Sequence, residues 1–138
     1  MNIKKIFIAC DTKSIQKARK IIKETKTNKI KIGYKFGLEF FNTKKGRSFI
    51  SKIKNKTIFL DLKLHDIPNT CASAIKSIQD LKINYLTIHI SAGLNALKIS
   101  KKVSGKTKLV GVTTLTSLNN KNLKQIGYNK NINKLVVH

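Results

Sequence analysis

The sequence predicts an α/β fold, a parallel sheet assembled from strand–helix–strand units, and three observations carry that prediction. Short apolar runs of strand length recur at intervals of about 25 residues, long enough for a crossover between parallel strands. The segments between them place apolar residues three or four apart, the spacing of one helix face. Polar residues collect where the runs end, although the runs themselves are aliphatic.

The first run, "KIFIAC" (5–10), is rich in Ile and Phe, and Ile15, Ala18 and Ile22 then share a helical face. "IKIGYK" (30–35) reads as the second strand and "TIFLDLK" (57–63) as the third. Pro68 suits the first turn of the helix after it, where a missing N–H costs nothing, and Ile75, Ile78 and Leu81 continue its apolar face. "YLTIHI" (85–90) is the fourth strand; Ser91 is placed to cap the next helix, which carries Leu94 and Leu97. "KLVGVTTL" (108–115) and "KLVVH" (134–138) complete six expected strands. Such a series forms either an open doubly wound sheet or a (β/α)8 barrel. No GxGxxG follows the first strand, which argues against a dinucleotide-binding sheet.

Composition narrows the class. A chain of 138 residues with 41% hydrophobic and 25% charged residues is one domain by length and is not a disordered polymer. Its net charge of +23 raises nucleic acid as a partner. Against that, Arg19 and Arg47 are the sole arginines among 29 basic residues, and the lysines are spread along the whole chain. Base readout and bidentate phosphate recognition favour arginine. The joint abundance of Lys, Ile and Asn fits an A/T-rich coding bias. Cys10 and Cys71 lack any metal-ligand spacing and read as small buried hydrophobes in a reducing compartment. The apolar run near Met1 is too short for a signal peptide or a membrane span, so a cytoplasmic location is expected.

At the expected strand ends stand Asp11, Lys35, Asp61, Lys63, His89, Thr113 and Thr116. Parallel barrels place their active sites at that C-terminal rim. Strand alternation puts Phe59, Asp61 and Lys63 on one face and Ile58, Leu60 and Leu62 on the other. The aliphatic face is expected to pack on helices, leaving the Asp and Lys in the barrel mouth. Taken singly, Asp61 and Lys63 also read as a structural ion pair, Asp11 and Lys35 as another, and the threonines as ordinary strand residues. His65 reads as a loop-ordering residue, His89 as a satisfied rim histidine, and Glu39 as a helix cap or local charge balance.

The chain resembles the orotidine 5′-phosphate decarboxylase family, whose members close de novo UMP synthesis. The resemblance lies in "DLKLHDIPNT" (61–70), supported by "IACD" (8–11), "KFGLEFF" (35–41), "TIHISAG" (87–93) and "VTTLTS" (112–117). It implies a (β/α)8 TIM barrel, here ending after about six strands, as one incomplete domain over residues 1–138. It also implies a cofactor-free, metal-free decarboxylase in which Asp61, Lys63, Asp66 and Lys35 form a charged array. In that array Lys63 protonates C6 of the pyrimidine and Asp61 lies near the departing carboxylate. Asp11 and Lys35 would contact the ribose, while Ile67, Thr70 and Thr116 would help hold the nucleotide. Asp66 and Thr70 would reach across a homodimer interface.

Two rival readings stand beside it: a metal-dependent phosphosugar enzyme of the same barrel group, which shares the DxKxxD pattern, and a basic nucleic-acid-binding protein. A whole barrel of this kind takes about 250 residues. In the family the later part carries the main phosphate clamp, so residues 1–138 alone are expected to be inactive and poorly soluble, with an open strand edge.

Overall fold

A computed structural model describes residues 5–137. Five parallel strands form one sheet in the order β1-β2-β3-β4-β5: β1 (Ile6–Ala9), β2 (Ile32–Gly37), β3 (Thr57–Leu64), β4 (Tyr85–His89) and β5 (Lys108–Val112). Each strand pairs with its sequence neighbour, as successive crossovers of one hand require. All five predicted runs through "KLVGVTTL" are strands, although β2 starts later than predicted and β5 ends earlier, at Val112.

The helices are α1 (Ile15–Glu24), α2 (Leu38–Phe41), α3 (Gly46–Ser51), α4 (Pro68–Ser77), α5 (Leu94–Val103), α6 (Asn120–Gln125) and α7 (Ile132–Val137). Ser14 caps α1 by accepting the Lys17 N–H at 3.2 Å. Pro68 occupies the first turn of α4 as expected, and the apolar pattern of that helix continues into a 3₁₀ turn at Gln79–Leu81.

Two local expectations are corrected. Ser91 does not cap α5: it lies in a 3₁₀ turn, Ile90–Ala92, and the cap position is Gly93 at φ +89°, which a glycine adopts without penalty. The predicted sixth strand is α7 over residues 132–137, and His138 lies outside the described residues. Asn131 decides that outcome, because its side chain accepts the Lys134 N–H at 2.9 Å and its carbonyl accepts from Leu135, which starts a helical turn. A five-residue apolar run has no periodicity strong enough to oppose such a cap.

The core lies between the outer sheet face and the helices. Tyr34, Phe36, Ile58, Leu60 and Leu62 point outward to meet Ala18, Phe40, Ile50, Ile75, Ile78 and Leu81. This is the alternation predicted for β3, with Phe59, Asp61 and Lys63 on the opposite face. On that inner face Phe7, Phe59 and Tyr85 form an edge-to-face and tilted cluster with centroids 5.3 to 5.9 Å apart. The polar residues sit above it, toward the strand C-termini. No helix among the described residues is long and apolar enough to cross a membrane.

Gly46 marks the tightest approach near the site, since a Cβ there would collide with the Phe40 carbonyl and lie 2.8 Å from Thr43 Oγ1. Backbone cannot yield as a side-chain tip can. Gly46→Ala is expected to lower unfolding free energy by roughly 1–3 kcal/mol, the usual cost of overpacking. Urea denaturation measures it, and an unchanged midpoint would contradict the packing described for α2 and α3.

Candidate active site

The site grows from three strand ends. Asp11 follows β1, Lys35 lies on β2, and Asp61 and Lys63 lie on β3. Parallel register sets Lys35 between Ala9 and Phe59 and sets Gly37 beside Asp61, so the long Lys35 side chain, starting two residues below Asp61, reaches up to both Asp61 and Asp11.

They form an alternating chain. Lys63 Nζ is 2.9 Å from Asp61 Oδ1, Asp61 Oδ2 is 3.3 Å from Lys35 Nζ, and Lys35 Nζ is 3.6 Å from Asp11 Oδ1. The expected Asp61–Lys63 and Asp11–Lys35 pairs therefore both exist, joined through Lys35 into one array. Asp61 is its anchor: its side chain is 14% exposed, against 42% for Lys63 and 67% for Asp11. A cavity of about 290 Å³ opens on the array, lined by Asp11, Lys35, Asp61 and Lys63 together with Thr12 and Gly37. Lys63 also borders a smaller groove of about 210 Å³ shared with Asp66 and Thr70.

Burial pushes the Asp61 carboxyl pKa up, but hydrogen bonds from Lys63, Thr87 and Lys35 with the Lys63 charge outweigh it and hold it below its ordinary value. Asp61 is thus an anion that stays ionised in a poorly solvated place. Cys10 shows the reverse balance: burial and the Asp11 charge push its thiol up to about 11, so it is an inert core residue, as the sequence suggested.

Lys63 is held in a particular backbone state. It adopts φ +49°, in the left-handed region that residues bearing a Cβ disfavour, where the β3–β4 register shifts between Leu60 and Leu64. Its N–H donates to Thr87 Oγ1 at 2.8 Å, and Thr87 Oγ1 donates to Asp61 Oδ1 at 3.0 Å. Sequence reading gave Thr87 no role. Its only signal was a hydroxyl between Leu86 and Ile88, at an inward position two residues before His89.

Other predicted site residues stand apart from the array. Asp66 and Ile67 are exposed on the turn into α4 and Thr70 is exposed in its first turn; Asp66 Oδ1 accepts the Ile67 N–H at 2.7 Å and, among the described residues, Asp66 forms no ion pair. Thr116 is exposed in the turn after β5, and among the described residues no hydrogen bond ties it to the array. His65 and His89 stack at 4.9 Å beside Thr113, and burial, then the neighbouring His65 and Lys63 charges, lowers the His89 pKa. Glu39 pairs with Lys13 at 3.2 Å, the charge-balancing role foreseen.

Sheet order, outer helices and an ionic cluster at the strand C-termini define a β/α-barrel protein with its polar site at the rim. A family model described as orotidine 5'-phosphate decarboxylase / HUMPS family matches residues 4–138, and the chain belongs to that family. It is 40% identical over 137 residues to an orotidine 5'-phosphate decarboxylase of Wolbachia sp. subsp. Brugia malayi, covering 96% of this chain and 59% of that protein. It is 50% identical over 100 residues to the Ehrlichia chaffeensis protein of the same name, covering 70% of this chain and 43% of the other. The crystal structure of orotidine 5'-phosphate decarboxylase from Lactobacillus acidophilus superposes with a TM-score of 0.87 at 28% identity, over 97% of this chain and 64% of that one. The chain thus spans less than two thirds of the length of these relatives, and its five strands correspond to part of a TIM barrel.

Asp61→Asn is expected to destabilise the fold by roughly 1–3 kcal/mol at neutral pH, because Lys35 and Lys63 lose their shared counter-charge. An acid group with a depressed folded pKa contributes stability that is complete above its unfolded value and is lost as pH falls through the folded one. The gap between wild type and Asp61→Asn should therefore stay constant above the carboxylate range and close as pH falls below 3.8. Urea unfolding across pH tests this; a gap that closes well above pH 3.8 would show that Asp61 is not held ionised.

Proposed function

We propose that this chain carries the decarboxylating half of an orotidine 5′-phosphate decarboxylase site, converting orotidine 5′-monophosphate to UMP. The observation that carries the reading is the alternating Asp11–Lys35–Asp61–Lys63 array at the strand ends. Family membership and the names of the relatives support it.

In the reaction the bond from C6 to the carboxylate breaks, CO₂ leaves, and the electron pair remains on C6. Resonance relieves that carbanion little, so a fixed ammonium beside it lowers the barrier. Lys63 Nζ then donates its proton to C6 and regains one from solvent. Asp61 holds the Lys63 ammonium in place through their 2.9 Å ion pair and lies where the substrate carboxylate would crowd it, a repulsion relieved as CO₂ departs. Asp11 and Lys35 are assigned to the ribose hydroxyls. Asp66, Ile67 and Thr70 are exposed, with no ion pair or hydrogen bond to the array among the described residues, an arrangement suited to completing a second copy's site in a homodimer, and Thr116 is assigned to the nucleotide from the turn after β5. Remote binding energy from the phosphate would orient the ring. No step calls on a metal or an organic cofactor. The soluble, cytoplasmic setting of pyrimidine synthesis fits the reading.

The test joins residues 1–138 to the remaining segment of the Wolbachia relative and follows loss of orotate absorbance. The chimera is expected to turn over orotidine 5′-monophosphate, Lys63→Ala to lower kcat at least about 100-fold, and the 138-residue chain alone to be inactive. Undiminished turnover by Lys63→Ala, or magnesium-dependent conversion of a pentulose phosphate in its place, would overturn the assignment.

A further inference from the structure

We propose that Thr87 is a positioning residue of this site, one hydroxyl that sets both the backbone turn of Lys63 and the orientation of the Asp61 carboxylate. The inference deepens the proposed function and rests on it for its catalytic meaning, but its geometry stands alone.

A hydroxyl has one hydrogen to give and lone pairs to receive. An amide nitrogen only donates and a carboxylate only accepts. With Lys63 N at 2.8 Å and Asp61 Oδ1 at 3.0 Å, the Thr87 hydroxyl has one possible polarity: it receives from Lys63 and gives to Asp61. Thr87 is 4% exposed, so water does not compete for these bonds. It lies on the inner face of β4, in the interval where the β3–β4 register shifts. There its side chain takes up a backbone N–H beside the break in the regular ladder.

The consequence falls on Lys63. The left-handed turn at φ +49° redirects its side chain at the strand end, and Nζ comes to 2.9 Å from Asp61 Oδ1, the oxygen that Thr87 also contacts. A three-part ring results: Thr87 hydroxyl to Asp61 carboxylate, carboxylate to Lys63 ammonium, Lys63 amide back to the Thr87 hydroxyl. Rotation of the carboxylate would break two of these bonds at once. Asp61 Oδ2 is left for Lys35. The charged groups facing Asp61 are Lys63 on its own strand and Lys35 on β2, with Asp11 beyond it; Thr87 is the neutral member that holds the carboxylate's rotation.

The experiment compares Thr87→Val, which keeps the shape and removes the hydroxyl, with Thr87→Ser, which keeps the hydroxyl. Thr87→Ala is the second variant if the added methyl of Val disturbs folding. In the 138-residue chain, amide hydrogen exchange at Lys63 is expected to quicken at least tenfold in Val or Ala and to return in Ser. The Asp61 carboxyl titration should move up in Val or Ala and return in Ser. In the chimera kcat should fall with KM little changed, again rescued by Ser. Lys63 exchange and Asp61 titration unmoved in Val and Ala would overturn the proposal whichever reaction the site runs. Both moved and rescued by Ser supports it, even where Lys63→Ala leaves turnover intact, a result that sinks the decarboxylase reading alone.

Discussion

One carboxylate organises this molecule's chemistry. Asp61 is mostly withdrawn from water yet stays ionised, because two ammonium groups and a hydroxyl converge on its oxygens. A charge so placed is tolerable only while its partners remain. Each neighbour is constrained in turn: Lys35 by Asp11 and Asp61 together, Lys63 by its unusual backbone turn, Thr87 by burial in β4. The array contains as many anions as cations, so it forms a neutral island in a chain of net charge +23. The surrounding positive field favours anionic ligands at the rim without itself selecting one.

The sheet makes this constellation possible. Parallel strands in sequential order bring their C-terminal ends to one edge, and register sets Lys35 beside Phe59, two residues below Asp61, a step that the lysine side chain spans to reach Asp61 Oδ2 at 3.3 Å. The aromatic cluster of Phe7, Phe59 and Tyr85 fills the inner face beneath. Both faces of β3 are thereby committed: Ile58, Leu60 and Leu62 to the helices, Phe59, Asp61 and Lys63 to the interior. A shift of one residue would bury the charges among helices, which explains why register here is strongly specified.

Much of this was legible in the sequence, since strand alternation in "TIFLDLKL" depends only on local period, and the spacing of Asp11, Lys35, Asp61 and Lys63 survives into the array. What was not legible is tertiary. The register shift that turns Lys63 into the left-handed region arises between two strands, and no local propensity in "DLKLH" announces it. Thr87 was hidden for the same reason: a strand threonine is ordinary until the carboxylate facing it is known. The run "KLVV" misled because a cap at Asn131, not the apolar residues, decides its conformation. Asp66 and Ile67 precede α4 and Thr70 lies in its first turn, exposed and without an ion pair or hydrogen bond to the array among the described residues, so the DxKxxD spacing alone did not show how far Asp66 would stand from it.

The central claim is that the ammonium of Lys63, braced by Asp61, exchanges a proton with C6 of a uridine nucleotide. By microscopic reversibility the same group removes the C6 hydrogen of UMP. Incubating UMP with the chimera in deuterated water and following the C6 proton by NMR measures that exchange directly. Deuterium entering C6 with Lys63 present and failing to enter with Lys63→Ala is the predicted result. Exchange that persists at the same rate without Lys63 would contradict it.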